Sequence, residues 1–374
     1  MVEYKHNFNK ASRANGALTF FIPLSLLFFI FVAYAFFPSA STFTPWVWVI
    51  SLAFMGMAHG SLDLHVQRWS QTGEFKAKGW NKFGWYILLM VFTFGLFYFF
   101  PLLTTLLFLV LTAVHFGEAD RVHAIECFGN STSIPKSWAW VRGSFVVAIP
   151  SIFFTQQTWD PFYYLSQVSF NSTINQIITY FGYILLIATL SFAIFDSLKT
   201  KINWSSSAVI AFLFESVICF FWFVFLPPLL AIGGYFLAIH STKHMLRLSH
   251  FKKQNIGNTT TFKDILTLHL DAVWLSAPAY LIVILWSVFI KAPVVPSLVY
   301  ASIGFYLIST LPHHILVAKI PVRSSGVRVF PKRKESSNFF TIVSNLSNFS
   351  IKRSSYNTYT TPPADGVVRS SQIE

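Results

Sequence analysis

Charge is scarce in this chain: Asp, Glu, Lys and Arg together make up 11% of it, against 54% hydrophobic residues. Acidic side chains are scarcest, 14 against 27 basic ones. Uncharged runs of roughly 18 or more residues recur, a composition that belongs to polytopic helical membrane proteins rather than to soluble enzymes. Cysteine is nearly absent. Cys127 and Cys219 provide neither a disulfide framework nor a thiolate metal motif. The first apolar run, Ala17 to Phe37, is longer than a signal-peptide core and lacks a small-residue cleavage site after it, so it reads as a retained span.

The apolar runs divide into spans at about 17–37, 44–62, 84–100, 102–117, 143–158, 173–195, 205–226, 228–247, 271–290 and 297–318. The stretch 84–117 is too long for one crossing and is folded at Pro101. The fifth span is short and carries Pro150. The expected fold class is therefore all-α: a polytopic transmembrane helical bundle of about ten spans, eight to ten, with a disordered polar carboxy-terminal tail. Residues 1–16 read as a cytoplasmic segment, 17–320 as the transmembrane catalytic domain and 321–374 as a cytoplasmic basic tail, whose Lys332-Arg333-Lys334 run is a positive anchor.

With the amino terminus in the cytoplasm, every Lys and Arg except Lys291 falls on the cytoplasmic side or at a cytoplasmic helix end. Both termini are then cytoplasmic, in a protein of the cell (inner or plasma) membrane. The net charge of +13 is explained by the lipid bilayer, and nucleic acid is not needed.

Histidine is what the chain does have in a telling place. Six of its 11 histidines, His59, His115, His240, His244, His313 and His314, fall in four clusters where apolar runs stop. Under this topology spans two, four, eight and ten run in the same direction, so the four clusters reach similar depth. Ionisable groups at that depth are costly and usually functional.

Imidazole is a ligand for iron, copper and zinc, and helical spacing puts His240 and His244 on one face. A ring of His59, His115, His240 and His244 offers four neutral ligands and leaves two octahedral positions for dioxygen or water. Asp63, Glu118 and Asp120 are placed to accept the other ring N–H of a ligand. His313 and His314 diverge by about 100° on a helix, so at most one of them faces the site. Glu215, in mid-span, is expected to be protonated or hydrogen-bonded to a neighbouring helix. Most of the 43 Phe are expected to face lipid or pack between helices, and His6, His65, His123, His250 and His269 are given no role.

The motifs G-M-A-H-G-S-L-D (from Gly56), H-F-G-E-A-D (from His115), H-S-T-K-H (from His240) and L-P-H-H (from Leu311) occur in an order and spacing that resemble the Brp/Blh family of integral-membrane β-carotene 15,15′-dioxygenases, over roughly residues 45–320. The resemblance implies an Fe(2+) enzyme that uses O2 to cleave the central double bond of β-carotene, or of a related carotenoid, into two molecules of all-trans-retinal. It also implies His59, His115, His240 and His244 as the metal ligands, and a functional link to a retinal-binding rhodopsin. Where family members often have Pro before the first motif histidine, this chain has Ala58, a departure that touches backbone geometry more than ligation. The polar tail after residue 321 is not explained by the family.

Two other classes remain. A membrane di-iron desaturase or hydroxylase needs H-x-x-H-H boxes; this chain has H-x-x-x-H once and H-x-x-H-H nowhere. A carotenoid or retinal transporter, or a non-catalytic rhodopsin-assembly protein, would work without redox-active iron. No internal repeat supports it, although Pro227-Pro228 and Gly233-Gly234 interrupt the chain before the eighth span.

Overall fold

The apolar runs form helices, because a chain in lipid must satisfy its backbone hydrogen bonds within the segment. The computed structural model describes residues 20–36, 40–63, 65, 79–128, 134–254, 262–318, 320, 322–324 and 327–329, all within one unit. Helix α1 runs Phe20–Phe36. Helices α2 (Ala40–Ile50) and α3 (Met57–Ser61) are joined by a π-helical turn, Ser51–Gly56. The next three are α4 (Gly79–Phe99), α5 (Pro101–Phe128) and α6 (Lys136–Phe153). They are followed by α7 (Thr155–Ser166), α8 (Ser172–Lys199) and α9 (Ser207–Phe225). Helix α10 (Pro228–Tyr235) passes through a second π turn, Phe236–Ser241, into α11 (Thr242–Gln254). Helices α12 (Phe262–Leu275), α13 (Ala277–Val288) and α14 (Val294–Val317) complete the helical part.

The protein is thus all-helical in its bulk and membrane-embedded, but the expected ten spans are not what the helices provide. Among the described residues four helices are long and apolar enough to cross a bilayer, α5, α8, α9 and α14, or up to six if two bent pairs each count as one span. The pairs are α6 with α7, bent by 96°, and α12 with α13, bent by 47°. Three physical causes reduce the number. Helix α1 and the apolar part of α4, Phe83–Phe99, are short. The second and eighth expected spans are broken by π turns. The fifth ends at Phe153, where the chain leaves helical geometry at Phe154 (φ −133°, ψ 42°) and turns away as α7.

Other boundaries moved less. The break at Pro101 falls where the sequence places it, with Pro101 opening α5. Helix α5 does not stop at residue 117: it carries the H-F-G-E-A-D motif in its middle and continues to Phe128. At the start of the expected tail, Val322–Ser324 and Val327–Val329 pair as an antiparallel hairpin. Residues 1–16, and the tail beyond that hairpin, lie outside the described residues.

Polarity is arranged inside out. Large apolar side chains such as Tyr180, Ile184 and Ile187 on α8, and Phe214, Val217 and Phe221 on α9, are exposed on the outer face, while ionisable groups are buried. The main core gathers Trp48, Phe116, Phe223, Tyr235, Phe236 and Leu307. Helices α5 and α6 cross at Gly117 and Gly143, where a Cβ would stand 1.7 Å from the carbonyl oxygens of Ala139 and Ala113 respectively. This approach of backbone to backbone sets how deeply the α5 motif reaches into the bundle.

Candidate functional site

The four histidine clusters meet. His59, on α3 just after the first π turn, His115 on α5, His240 in the second π turn, His244 on α11 and His313 on α14 are all buried and share one centre. From His59 the ring centres of His240, His244 and His313 lie at 5.3, 5.3 and 5.0 Å. From His115 those of His240 and His313 lie at 5.0 and 4.9 Å. His244 is 6.5 Å from His240 and 5.9 Å from His313.

Local structure explains the orientation. π turns are rare and frequently occur at functional sites; here one precedes His59 and the other contains His240. Phe236 stacks on His240 at 5.3 Å and 20°, and Phe116 lies 4.3 Å from the same ring and 5.7 Å from Phe236, so that imidazole is packed in an aromatic cluster. His59 Nδ1 donates to the Met55 carbonyl at 3.2 Å, which leaves Nε2 as its unprotonated nitrogen. His313 Nδ1 donates to Asp63 Oδ2 at 2.7 Å. His115 Nδ1 lies 3.2 Å from His314 Nδ1, so His314 stands behind His115 rather than in the ring.

The remaining nitrogens indicate what the centre is suited to hold. His115 Nε2, both nitrogens of His240, His244 Nε2 and His313 Nε2 are buried without a protein hydrogen-bond partner. Each orphaned group costs about 1–3 kcal/mol of desolvation, so several gathered in one place require a common explanation. Among the described residues no group of three or more His, Cys, Asp or Glu is already placed to hold a metal ion. An ion bound through nitrogen at about 2.1 Å keeps the ring centres of its imidazoles roughly 4.5–6.5 Å apart, depending on the angle between them. The observed spacings of 4.9 to 6.5 Å lie in that range. In its chemistry the donor set suits a transition-metal ion bound by neutral nitrogen, and the side chains would have to close on such an ion to hold it.

Of the acidic residues in the motifs, Asp63 reaches a ring histidine. Glu118 pairs with Arg121 at 2.7 Å. Asp120 joins a buried charge network: Arg142 Nη2 reaches Asp120 Oδ2 at 2.9 Å and Glu215 Oε1 at 3.0 Å, Lys243 Nζ reaches Asp120 Oδ1 at 3.2 Å and also Glu215, and Tyr235 OH donates to Asp120 at 2.8 Å. The four charged side chains are 1–3% exposed. Two carboxylates balance two cations, so Glu215 is an ion-pair member. Arg142, Tyr235 and the participation of Lys243 went unseen in the sequence. The readable signal was a lysine inside H-S-T-K-H and an arginine one residue before a glycine, both within apolar surroundings.

The family model described as beta-carotene 15,15'-dioxygenase matches residues 50–320, a range that contains all four motifs. The chain belongs to the beta-carotene 15,15'-dioxygenase family. No curated protein and no solved structure matches it. Membership of the beta-carotene 15,15'-dioxygenase family brings a carotene-dioxygenase type of function and a carotenoid as the class of substrate.

A cavity of about 440 Å³ opens beside the histidine ring, as such a substrate requires. His59, His115, His240 and His313 line it, whereas His244 and His314 do not. The rest of its wall is largely aromatic and aliphatic, including Trp48, Phe108, Phe162, Phe236 and Tyr306. Phe83 and Ile87 of α4 and Ile282 of α13 line the cavity and are also exposed on the outer apolar face. These three side chains therefore stand between the cavity and the side of the bundle that faces lipid.

Proposed function

We propose that this protein is an iron-dependent dioxygenase that cleaves the central 15,15′ double bond of β-carotene with O2, giving two molecules of all-trans-retinal. The observation that carries the reading is the set of buried, partnerless imidazole nitrogens at the wall of an apolar cavity. His59, His115, His240 and His244 would hold the ion as neutral donors. A ferrous ion so held keeps its positive charge and supplies the redox chemistry for activating dioxygen.

The chain itself supplies binding and alignment. The wall at Phe83, Ile87 and Ile282, which borders the outer apolar face, is where a hydrocarbon would enter from the bilayer, and the aromatic lining would exclude water and hold the polyene by its length. Because the substrate has few polar handles, the position of the cut depends on which carbon pair the wall places beside the histidines. Each oxygen atom of O2 ends in one of the two aldehydes, so the overall reaction releases no proton. That balance is compatible with a cavity wall that carries few titratable groups besides the histidines and Asp63. The reading also places both termini in the cytoplasm of a cell membrane, from the basic residues of the loops.

The test is expression in cells that accumulate β-carotene, followed by chromatography of the pigments. Retinal should appear with matching loss of β-carotene, and His59→Ala, His115→Ala, His240→Ala and His244→Ala should each abolish it while the protein still inserts. Longer apocarotenals would move the cut. Unchanged pigment with inserted, iron-loaded protein would overturn the reading.

A further inference from the structure

The last motif, L-P-H-H, contributes more to the centre than a neighbouring polar group. His313 is 5.0 Å from His59, 4.9 Å from His115 and 5.9 Å from His244, ring centre to ring centre, so it stands as near the shared centre as His244 does. Its Nδ1 is committed to Asp63 at 2.7 Å, across 250 residues of sequence. An ionised carboxylate only accepts, so Nδ1 carries the proton and the lone pair of the neutral ring is on Nε2. That Nε2 is buried and has no protein partner, and His313 lines the cavity. A carboxylate behind one nitrogen and an open lone pair on the other is the arrangement by which proteins orient metal-ligating histidines.

We propose that His313 is a fifth imidazole donor to the same ion, and that Asp63 is the positioning residue that fixes its tautomer and aim. This rests on the reading of the ring as a metal centre. It gives the two histidines of the motif separate work. His313 faces the ion, while His314 lies on another face of α14 and touches His115 Nδ1 at 3.2 Å. It also explains why Asp63 follows His59 by four residues: His59 on α3 and Asp63 just past its end bring one ligand and the support of another to the same place.

The experiment uses the full chain in detergent, stripped of metal and titrated with Co2+, whose d–d absorption reports both binding and coordination number. The unaltered protein, His313→Ala, Asp63→Asn and His59→Ala are compared. Loss of His313 or of the Asp63 carboxylate should weaken Co2+ binding by roughly 10–100-fold. His313→Ala should also intensify the d–d bands, as expected when one donor is lost. Asp63→Asn, a conservative change, keeps the test valid if His313→Ala does not fold. Unchanged affinity and spectrum in both variants, with binding lost in His59→Ala, would overturn the fifth donor and leave the metal centre standing. No Co2+ binding by the unaltered protein, or unchanged binding in His59→Ala, would overturn the metal centre itself, and the fifth donor with it.

Discussion

Gly56 opens the first motif, and its missing side chain makes room for the cavity wall. A Cβ there would stand 2.1 Å from Tyr306 Oη and 2.8 Å from Phe236 Cε1. Phe236 in turn stacks on His240, so crowding at residue 56 passes directly to a histidine of the ring. Gly56→Ala should lower retinal formation on the order of 10–100-fold, since displacements near 1 Å at a reacting centre cost that much. Tyr306→Phe removes the nearer obstacle and should restore part of the loss in the double variant, measured as retinal yield per inserted protein. Full activity in Gly56→Ala alone would show that the wall yields without disturbing His240. Read as a string, G-M-A-H-G-S-L-D marks His59 and Asp63 but does not reveal which glycine is sterically required. Gly60, in the same motif, has His313 Nδ1 as its only near neighbour, at an ordinary 3.9 Å.

At the scale of elements, the crossing of α5 and α6 and the two π turns aim the histidines. Gly117 and Gly143 are mutually close, each with its missing Cβ directed at the other helix's backbone. Gly117→Ala and Gly143→Ala should each destabilise by about 1–3 kcal/mol or more, because carbonyl oxygens cannot rotate away as side chains do. Either change already forces the helices apart, so the double variant should lose less than the sum of the singles. Thermal unfolding in detergent, followed by intrinsic tryptophan fluorescence, measures both quantities; strict additivity would show that the two glycines act independently. Helix identity along α5 was legible as far as residue 117, where the apolar run ends; its continuation to Phe128 through the H-F-G-E-A-D motif was not. The π turns were not, because their extra residue per turn is selected by packing against Phe116, Tyr306 and the opposing histidines rather than by a local residue type.

At the scale of the whole molecule, a buried charge network ties together α5, α6, α9 and α11 through Asp120, Arg142, Glu215 and Lys243. It bridges the H-F-G-E-A-D and H-S-T-K-H motifs and so holds His115 against His240. Removing one member leaves an uncompensated buried charge, at a cost of about 3–5 kcal/mol. Glu215→Gln should therefore lower the thermal midpoint markedly. Glu215→Gln with Lys243→Met, which leaves Asp120 balanced by Arg142, should unfold at a higher temperature than Glu215→Gln alone. The opposite order would show that Lys243 is supported by groups other than these carboxylates.

The sequence by itself determined the membrane environment, the helical class and the four motifs. Each of these depends on local hydropathy or on helical spacing along a single run. The span count was less legible, because a helix's usable length depends on where packing breaks it, as at Phe154 and in the π turns before His59 and around His240. Only the tertiary structure decided the partners: Asp63 to His313 rather than to its helical neighbour His59, Asp120 to Arg142 and Lys243, and His314 behind His115. Those pairings join residues up to 250 positions apart, and they are selected by the angles and close approaches of packed helices, which spacing along the chain does not encode.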